Sequence, residues 1–312
     1  MKRLILLITL IIAGRCAFAQ IGTPMLQYYG NQITFNPAYA GVSDNLLTTL
    51  SVRKQWAQFP GSPTLVSLNA HAPFKHDKHA WGVVIQNETY GALSRTLGYA
   101  NYAYKLWLQN GELRLGLQAG FHNHILNWNK IEHIKDPNDP NLGKNRTQNT
   151  GFDVNVGAYY LAYKYYVGFS IKHLMPPKLD FEKNRPSNTV WHPHPATQFL
   201  LHGGTEFEIT RDWLLLPKVF LQYTPTSPLS INMGMYGSFQ EQYFFGVNYQ
   251  TVQKSMNFSL RVFITEVLQL SYSYGIYLNV FESAKRGGSH EISLTYRYEP
   301  VSKFTKPKRF FD

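Results

Sequence analysis

His122 and His124 stand two residues apart, with Glu112 and Arg114 in the same alternation. On an extended strand such positions share one face, so the four side chains project together. Two imidazoles so placed could share a metal ion, or one could act as a base beside a serine. A second pair, His192 and His194, is interleaved with proline in His192-Pro193-His194-Pro195, which reads as a rigid loop segment rather than a metal site. No spacing selects a serine, histidine and acid trio. There is no phosphate loop, no G-x-G-x-x-G opening a helix, no H-E-x-x-H and no G-x-S-x-G. We therefore expect no catalytic residue, no cofactor and no metal. The histidines are expected to be polar side chains on a wet inner wall.

The elements that would carry them are strands. From residue 112 to 125, Leu113, Leu115, Leu117, Ala119, Phe121 and Ile125 fall on one face, and Arg114, Gln118, His122 and His124 on the other. A helix would mix the two sets. The same rhythm recurs in fourteen segments, at about 46–56, 64–73, 79–90, 95–108, 112–126, 152–161, 165–173, 196–209, 213–224, 229–239, 243–250, 255–264, 267–278 and 289–298. Connections after even-numbered segments are short, whereas those after odd-numbered segments include the long stretches 127–151 and 174–195. A soluble sandwich needs a dry inner face, yet here the polar face carries Arg114, Lys172, Glu206, Lys218 and Arg261. An apolar wall facing lipid and a polar lumen, with an even strand count and one set of short turns, describe an all-β antiparallel transmembrane β-barrel of about fourteen strands. A cation at outward Leu117 should be costly in such a barrel, and one at lumen-facing Gln118 nearly neutral. Trp81, Trp107, Trp128, Trp191 and Trp213 fall near strand ends, as an interfacial aromatic girdle requires.

Lys2 and Arg3, the apolar run 4–13 and Ala17-Phe18-Ala19 form a signal peptide over residues 1–19, giving an exported chain bound for the outer membrane of a Gram-negative cell. Lipidation at Cys16 is disfavoured by Arg15, where a small residue is needed. Signal removal takes away the only cysteine and leaves 27 basic against 19 acidic side chains, a net charge of +8. The excess is scattered. Together with export, this argues against nucleic acid and for outer-membrane lipid and anionic lipopolysaccharide. The barrel is expected over residues 45–298, with a basic and aromatic periplasmic tail at 299–312 that includes Lys308, Arg309, Phe310 and Phe311.

Residues 20–44 are rich in Asn, Gln, Tyr and Gly and lack alternation, so they read as an ordered segment ahead of the first strand, a plug or a docking strap. Bulky residues on the lumen side of the alternation, Tyr99, Trp107, Tyr159, Phe220, Tyr236, Phe244, Phe263 and Tyr277, argue for a filled interior. Within and after the segment come Met25-Leu26-Gln27-Tyr28-Tyr29, Asn36-Pro37-Ala38-Tyr39-Ala40-Gly41, Arg53-x-Gln55-Trp56 with Phe59, Gly61, Pro63 and Thr64, and Ala70-His71-x-Pro73. This series resembles the start of PorP/SprF-type proteins, outer-membrane proteins of the type IX secretion system of Bacteroidota. The motifs cover about residues 25–120. Ala57-Gln58 departs from the pattern, in which a Gly commonly precedes the aromatic.

The resemblance implies a non-enzymatic barrel of the secretion and gliding machinery. It would receive secreted cargo carrying a type B C-terminal sorting domain and contact periplasmic type IX secretion components. The motif residues would then be structural or partner-binding, with Arg53 and Gln55 in the lumen near the outer rim. Trp128 and Trp191 are candidate cargo anchors on the two long loops, and the tail residues are candidates for the periplasmic side. The competing class is an outer-membrane channel or transporter for small solutes.

Overall fold

The computed structural model describes residues 25–74, 78–131, 145–176, 195–225, 227–278 and 287–298. The dyad patterns are antiparallel strands: β1 (Leu46–Lys54), β2 (Thr64–Pro73), β3 (His79–Tyr90), β4 (Leu93–Leu108), β5 (Gly111–Asn127), β6 (Arg146–Leu161), β7 (Tyr165–Lys172), β8 (Gln198–Thr205), β9 (Phe207–Glu208), β10 (Trp213–Thr224), β11 (Ser227–Phe239), β12 (Tyr243–Gln250), β13 (Ser255–Phe263), β14 (Leu268–Tyr277) and β15 (Ser289–Tyr298). The two-residue β9 continues β8 past Glu206, and both lie against β10, so fourteen strands make the wall. β1 pairs with β15 from Leu46↔Tyr298 to Lys54↔His290, and the sheet closes without a free edge. Closure gives every strand two hydrogen-bonded neighbours, the condition for crossing hydrocarbon as β-structure.

Leu46 and Tyr298 lie opposite each other at what we call the near end. The far end carries the stretches 55–63, 128–145, 173–197 and 278–288. Along β5, Leu115, Leu117 and Phe121 remain about half exposed on the outer wall, while Arg114, Gln118 and His122 are buried inside. This is a hydrophobic effect turned outward: lipid rather than a protein core receives the apolar face.

Several boundaries shift by two residues or more from expectation, and two of the shifts have a clear cause. β6 begins at Arg146 rather than near 152, because its ladder with β5 continues to Asn127↔Arg146. Residues 146–151 are polar on both faces, as a strand standing in water beyond the bilayer can be. Their alternation signal is therefore absent although the pairing persists, and the connection shrinks to 128–145. β1 ends at Lys54 because Trp56 adopts φ 49°, a left-handed conformation that stops an extended strand.

The lumen is not a water-filled passage lined by free polar groups. Residues 25–43 lie inside it as three short 3-10 turns, η1 (Tyr28–Gly30), η2 (Gln32–Thr34) and η3 (Pro37–Tyr39). The segment starts toward the far end, where the Leu26 amide donates to Glu291 Oε2 at 2.6 Å. It ends at the near end, where Gly41 packs on Pro73 and Ala80. Two apolar clusters seat it. One joins Tyr28, Tyr29 and Phe35 to Phe220 and Tyr236, and the other joins Ile33, Ala38 and Tyr39 to Tyr159 and Tyr166. Of the bulky lumen candidates, Tyr99, Tyr159, Phe220, Tyr236 and Tyr277 are buried, and Phe244 packs against the first cluster. Phe263 is half-buried beside Phe244, and Trp107 lies open. Trp107 is 53% exposed near the end of β4, past the last pair with β3 but still opposite Glu112 of β5, with Lys105 Nζ 4.5 Å over its ring.

Candidate functional site

The described feature richest in chemistry is the contact between this inner segment and the barrel wall. Asn36 precedes proline, which presets φ for the first turn of η3, and its side chain accepts from the Ala38 amide at 3.0 Å. The Asn36 amide nitrogen donates to Ala158 O at 3.1 Å and to Phe169 O at 3.4 Å, and lies 3.1 Å from His202 Nε2. One side chain thus caps a turn and ties it to three strands. The wall admits this turn because Gly116 and Gly157 face it. A Cβ on Gly116 would overlap the backbone at Pro37 and Ala38, and one on Gly157 would overlap the Asn36 side chain. Gly41 ends the segment with φ 67°, a conformation that glycine adopts without strain.

Further hydrogen bonds serve the segment's own backbone. Arg114 Nη1 donates to Ala40 O at 3.1 Å, Ser170 Oγ to Phe35 O at 2.6 Å and Lys172 Nζ to Thr34 O at 3.3 Å, while the Gly41 amide donates to His71 Nδ1 at 3.2 Å. These bonds satisfy backbone groups that short 3-10 turns leave open.

The structure brings Asn36, Pro37, Ala38, Tyr39, Ala40, Gly41, His71 and Pro73 together at this contact. Arg53, Gln55 and Trp56 lie apart from it, toward the far end. Arg53 is buried and donates to the Tyr277 hydroxyl at 3.2 Å, while its cross-strand partner Glu291 holds Leu26. Trp56 packs its ring edge-on against Tyr277 and donates its amide to Ser289 Oγ. Gly61 makes a turn at φ 70°, and the Pro63 carbonyl accepts from the Gln55 amide. Trp128 opens the 128–145 connection and donates Nε1 to Thr147 Oγ1 at 2.8 Å. Trp191, the histidines at 192 and 194, the expected leader at 1–19 and Lys308, Arg309, Phe310 and Phe311 lie outside the described residues.

Gln118 corrects a sequence expectation. It is buried, donates to Asn101 Oδ1 at 2.6 Å and accepts from Asn155 Nδ2 at 2.5 Å. An arginine there would be forced into packed polar groups rather than water, so Gln118→Arg is expected to be costly instead of nearly neutral.

Residues that sequence reasoning did not single out include Asp153, Asn155, His173, Ser170 and His202. Asp153 Oδ2 accepts from the Tyr99 hydroxyl at 2.7 Å and faces His122 Nε2 at 3.2 Å and His173 Nδ1 at 2.8 Å. Tyr99 also touches His122. His173 sits just past β7 at φ 58°, held there by its amide donating to Asn155 Oδ1 and by Thr197 Oγ1 donating to its carbonyl. Burial lowers the His173 pKa to about 4 although Asp153 acts the other way, so the ring is neutral at pH 7. Asp153 and Asn155 carry the lumen phase of β6, which was legible. Their meeting with a residue at a loop root was not.

A cavity of about 200 Å³ lies beside this cluster toward the far end, with Met25, Glu88, Arg95, Lys172 and His173 in its wall. The Arg95–Glu88 pair, 2.5 Å apart, faces it.

The weight of the Asn36 contacts leads to a direct expectation. Asn36→Ala removes a cap together with the side chain's bonds to two strand carbonyls and its contact with His202. We expect a loss of about 1–3 kcal/mol in barrel stability, read as a lower midpoint of heat-dependent gel migration. An unchanged midpoint would show that the segment is seated by its rings alone.

Comparison with known proteins gives three results. A family model described as Type IX secretion system membrane protein PorP/SprF matches residues 17–296. No curated protein sequence matches the chain. Among solved structures, the Ralstonia pickettii toluene transporter TbuX aligns at 10% identity over 86% of this chain and 93% of its own, with a TM-score of 0.51. The P. putida toluene transporter TodX aligns at 8% identity over 85% and 93%, also with a TM-score of 0.51. At such identities the likeness concerns the barrel fold alone.

Proposed function

Because the chain belongs to the PorP/SprF family of type IX secretion system membrane proteins, we propose that it binds or anchors secreted cargo at the outer surface and meets envelope components on the periplasmic side. The cargo would carry a type B C-terminal sorting domain. The far end, with its long connections, faces outward in this reading. The near end, with its short turns and the tail after Tyr298, faces the periplasm. The observation that carries the proposal is the occupied lumen. A barrel whose interior is filled by residues 25–43 acts through its ends rather than as a conduit. The same occupancy weighs against the small-solute channel. The family is a class of secretion-system membrane barrels rather than of enzymes.

The reading assigns the connections 128–145 and 173–197 to cargo, with Trp128 and Trp191 as aromatic anchors in a polar rim. It assigns the tail, including Lys308, Arg309, Phe310 and Phe311, to a periplasmic partner. Replacing residues 132–144 and 177–194 by short Gly-Ser linkers should release cargo from the cell surface while the barrel still assembles. Deleting residues 302–312 should reduce recovery of periplasmic partners without releasing cargo. Cargo retained at wild-type levels after both loop replacements would refute the outer-surface assignment.

A further inference from the structure

We propose that His122, Asp153 and His173 form a binding site for a borderline transition-metal ion, Zn²⁺ in the first instance, at the root of the 173–197 connection. The three residues come from β5, β6 and the first position past β7, and all are buried. Their ligand atoms lie within 4.8 Å of one another. Two of the three separations, 3.2 and 2.8 Å from Asp153 Oδ2, are already near the about 3.3 Å that separates ligands in a tetrahedral zinc site. The third separation, between the His122 and His173 nitrogens, is within 4.8 Å.

The chemistry of the donor set selects the ion. It offers two imidazoles and one carboxylate, with the Tyr99 hydroxyl beside them. His124 stacks on His122 with a buried Nε2 that has no hydrogen-bond partner, and Asp153 Oδ1 has none either. The cations that face the cluster are Lys172, whose ammonium is turned to Thr34 O, and Arg95, which is paired with Glu88. With one carboxylate and two cations nearby, a hard ion such as Mg²⁺ or Ca²⁺ gains too little charge and too few oxygens. An ion that draws its affinity from imidazole nitrogen is suited.

Access and placement also fit. His173 borders the lumen cavity, which brings open space up to the cluster. The left-handed backbone of His173 is held by hydrogen bonds on both its amide and its carbonyl, which aims the imidazole at Asp153. Left-handed geometry at a non-glycine residue is costly and is kept where its surroundings enforce it. A bound ion would tie the start of a long connection to two strands of the wall.

The test uses the full mature barrel, purified without a histidine tag and treated with chelator. Isothermal titration with Zn²⁺ should give one saturable site per chain that excess Mg²⁺ and Ca²⁺ do not compete away. Co²⁺ added to the unaltered protein should give the visible absorption of a four-coordinate nitrogen and oxygen site, and Zn²⁺ should abolish it. His173→Gln and Asp153→Asn should each weaken Zn²⁺ binding more than about tenfold, with heat-modifiable gel migration confirming a folded barrel. The double variant His192→Gln, His194→Gln should bind as the parent does. The proposal is overturned if the parent shows no saturable site and no Co²⁺ spectrum. Binding that survives both cluster variants, or that disappears with the 192/194 variant alone, also overturns it.

Discussion

Gly116→Val should conduct in planar bilayers, where the parent barrel is expected to hold no stable current. The expectation follows from steric contact. A Cβ at residue 116 would occupy the space of the Pro37 and Ala38 backbone, and backbone cannot rotate away as a flexible side chain can. Valine adds two further carbons to that conflict. β5 itself is held by ladders to β4 and β6 that use main-chain groups, so the wall has no reason to part. The less costly response is displacement of η3, and with it loss of the Asn36, Arg114 and His71 hydrogen bonds that seat the segment. Gly157→Val, which strikes the Asn36 side chain from the next strand, should do the same. Folded barrels of both variants that remain as silent as the parent would show that the segment stays seated. Stable conductance from the parent would instead show that residues 25–43 do not seal the lumen.

Leu117→Arg is the second large effect, and it acts on the opposite face. Leu117 is 49% exposed on the outer wall, paired with Tyr102 on β4 and Val156 on β6. Its position near the middle of β5 places it in the hydrocarbon, where a guanidinium can reach neither water nor a carboxylate. We expect a destabilisation of about 2–4 kcal/mol, measured by denaturant-induced unfolding in lipid vesicles. Leu117→Ile, which keeps the apolar volume, should be close to neutral. A comparable cost for both would mean that packing against neighbouring strands, not lipid, sets the requirement at this site.

The two variants divide what could be read from the chain. Leu117 and its alternating partners declare their face by sequence alone, since successive strand side chains point to opposite sides whatever lies beyond them. For the same reason the strand count, the β2, β3 and β12 boundaries and the lumen phase of Arg114 and His122 were all legible. The reading faltered where the two environments stop differing. Residues 146–151 extend β6 in water with polar side chains on both faces, and alternation has nothing to report there. Gln118 was placed on the correct face but in the wrong medium, because alternation distinguishes inside from outside and not wet from packed.

The wall of this protein is therefore a property of its sequence, and the contents of the wall are a property of its closure. Period-two patterning is local: each residue needs only its neighbours to select lipid or lumen, and hairpin pairing then follows along the chain. What fills the lumen depends on residues far apart that closure alone brings face to face. Asn36 finds the carbonyls of Ala158 and Phe169, Leu26 finds Glu291, and His122 finds Asp153 and His173. The curvature and register of fourteen joined strands set these meetings, and no single segment encodes them. The family motif Asn36-Pro37-Ala38-Tyr39 was visible in the sequence. Its seat between Gly116 and Gly157 exists only when the sheet has closed around it.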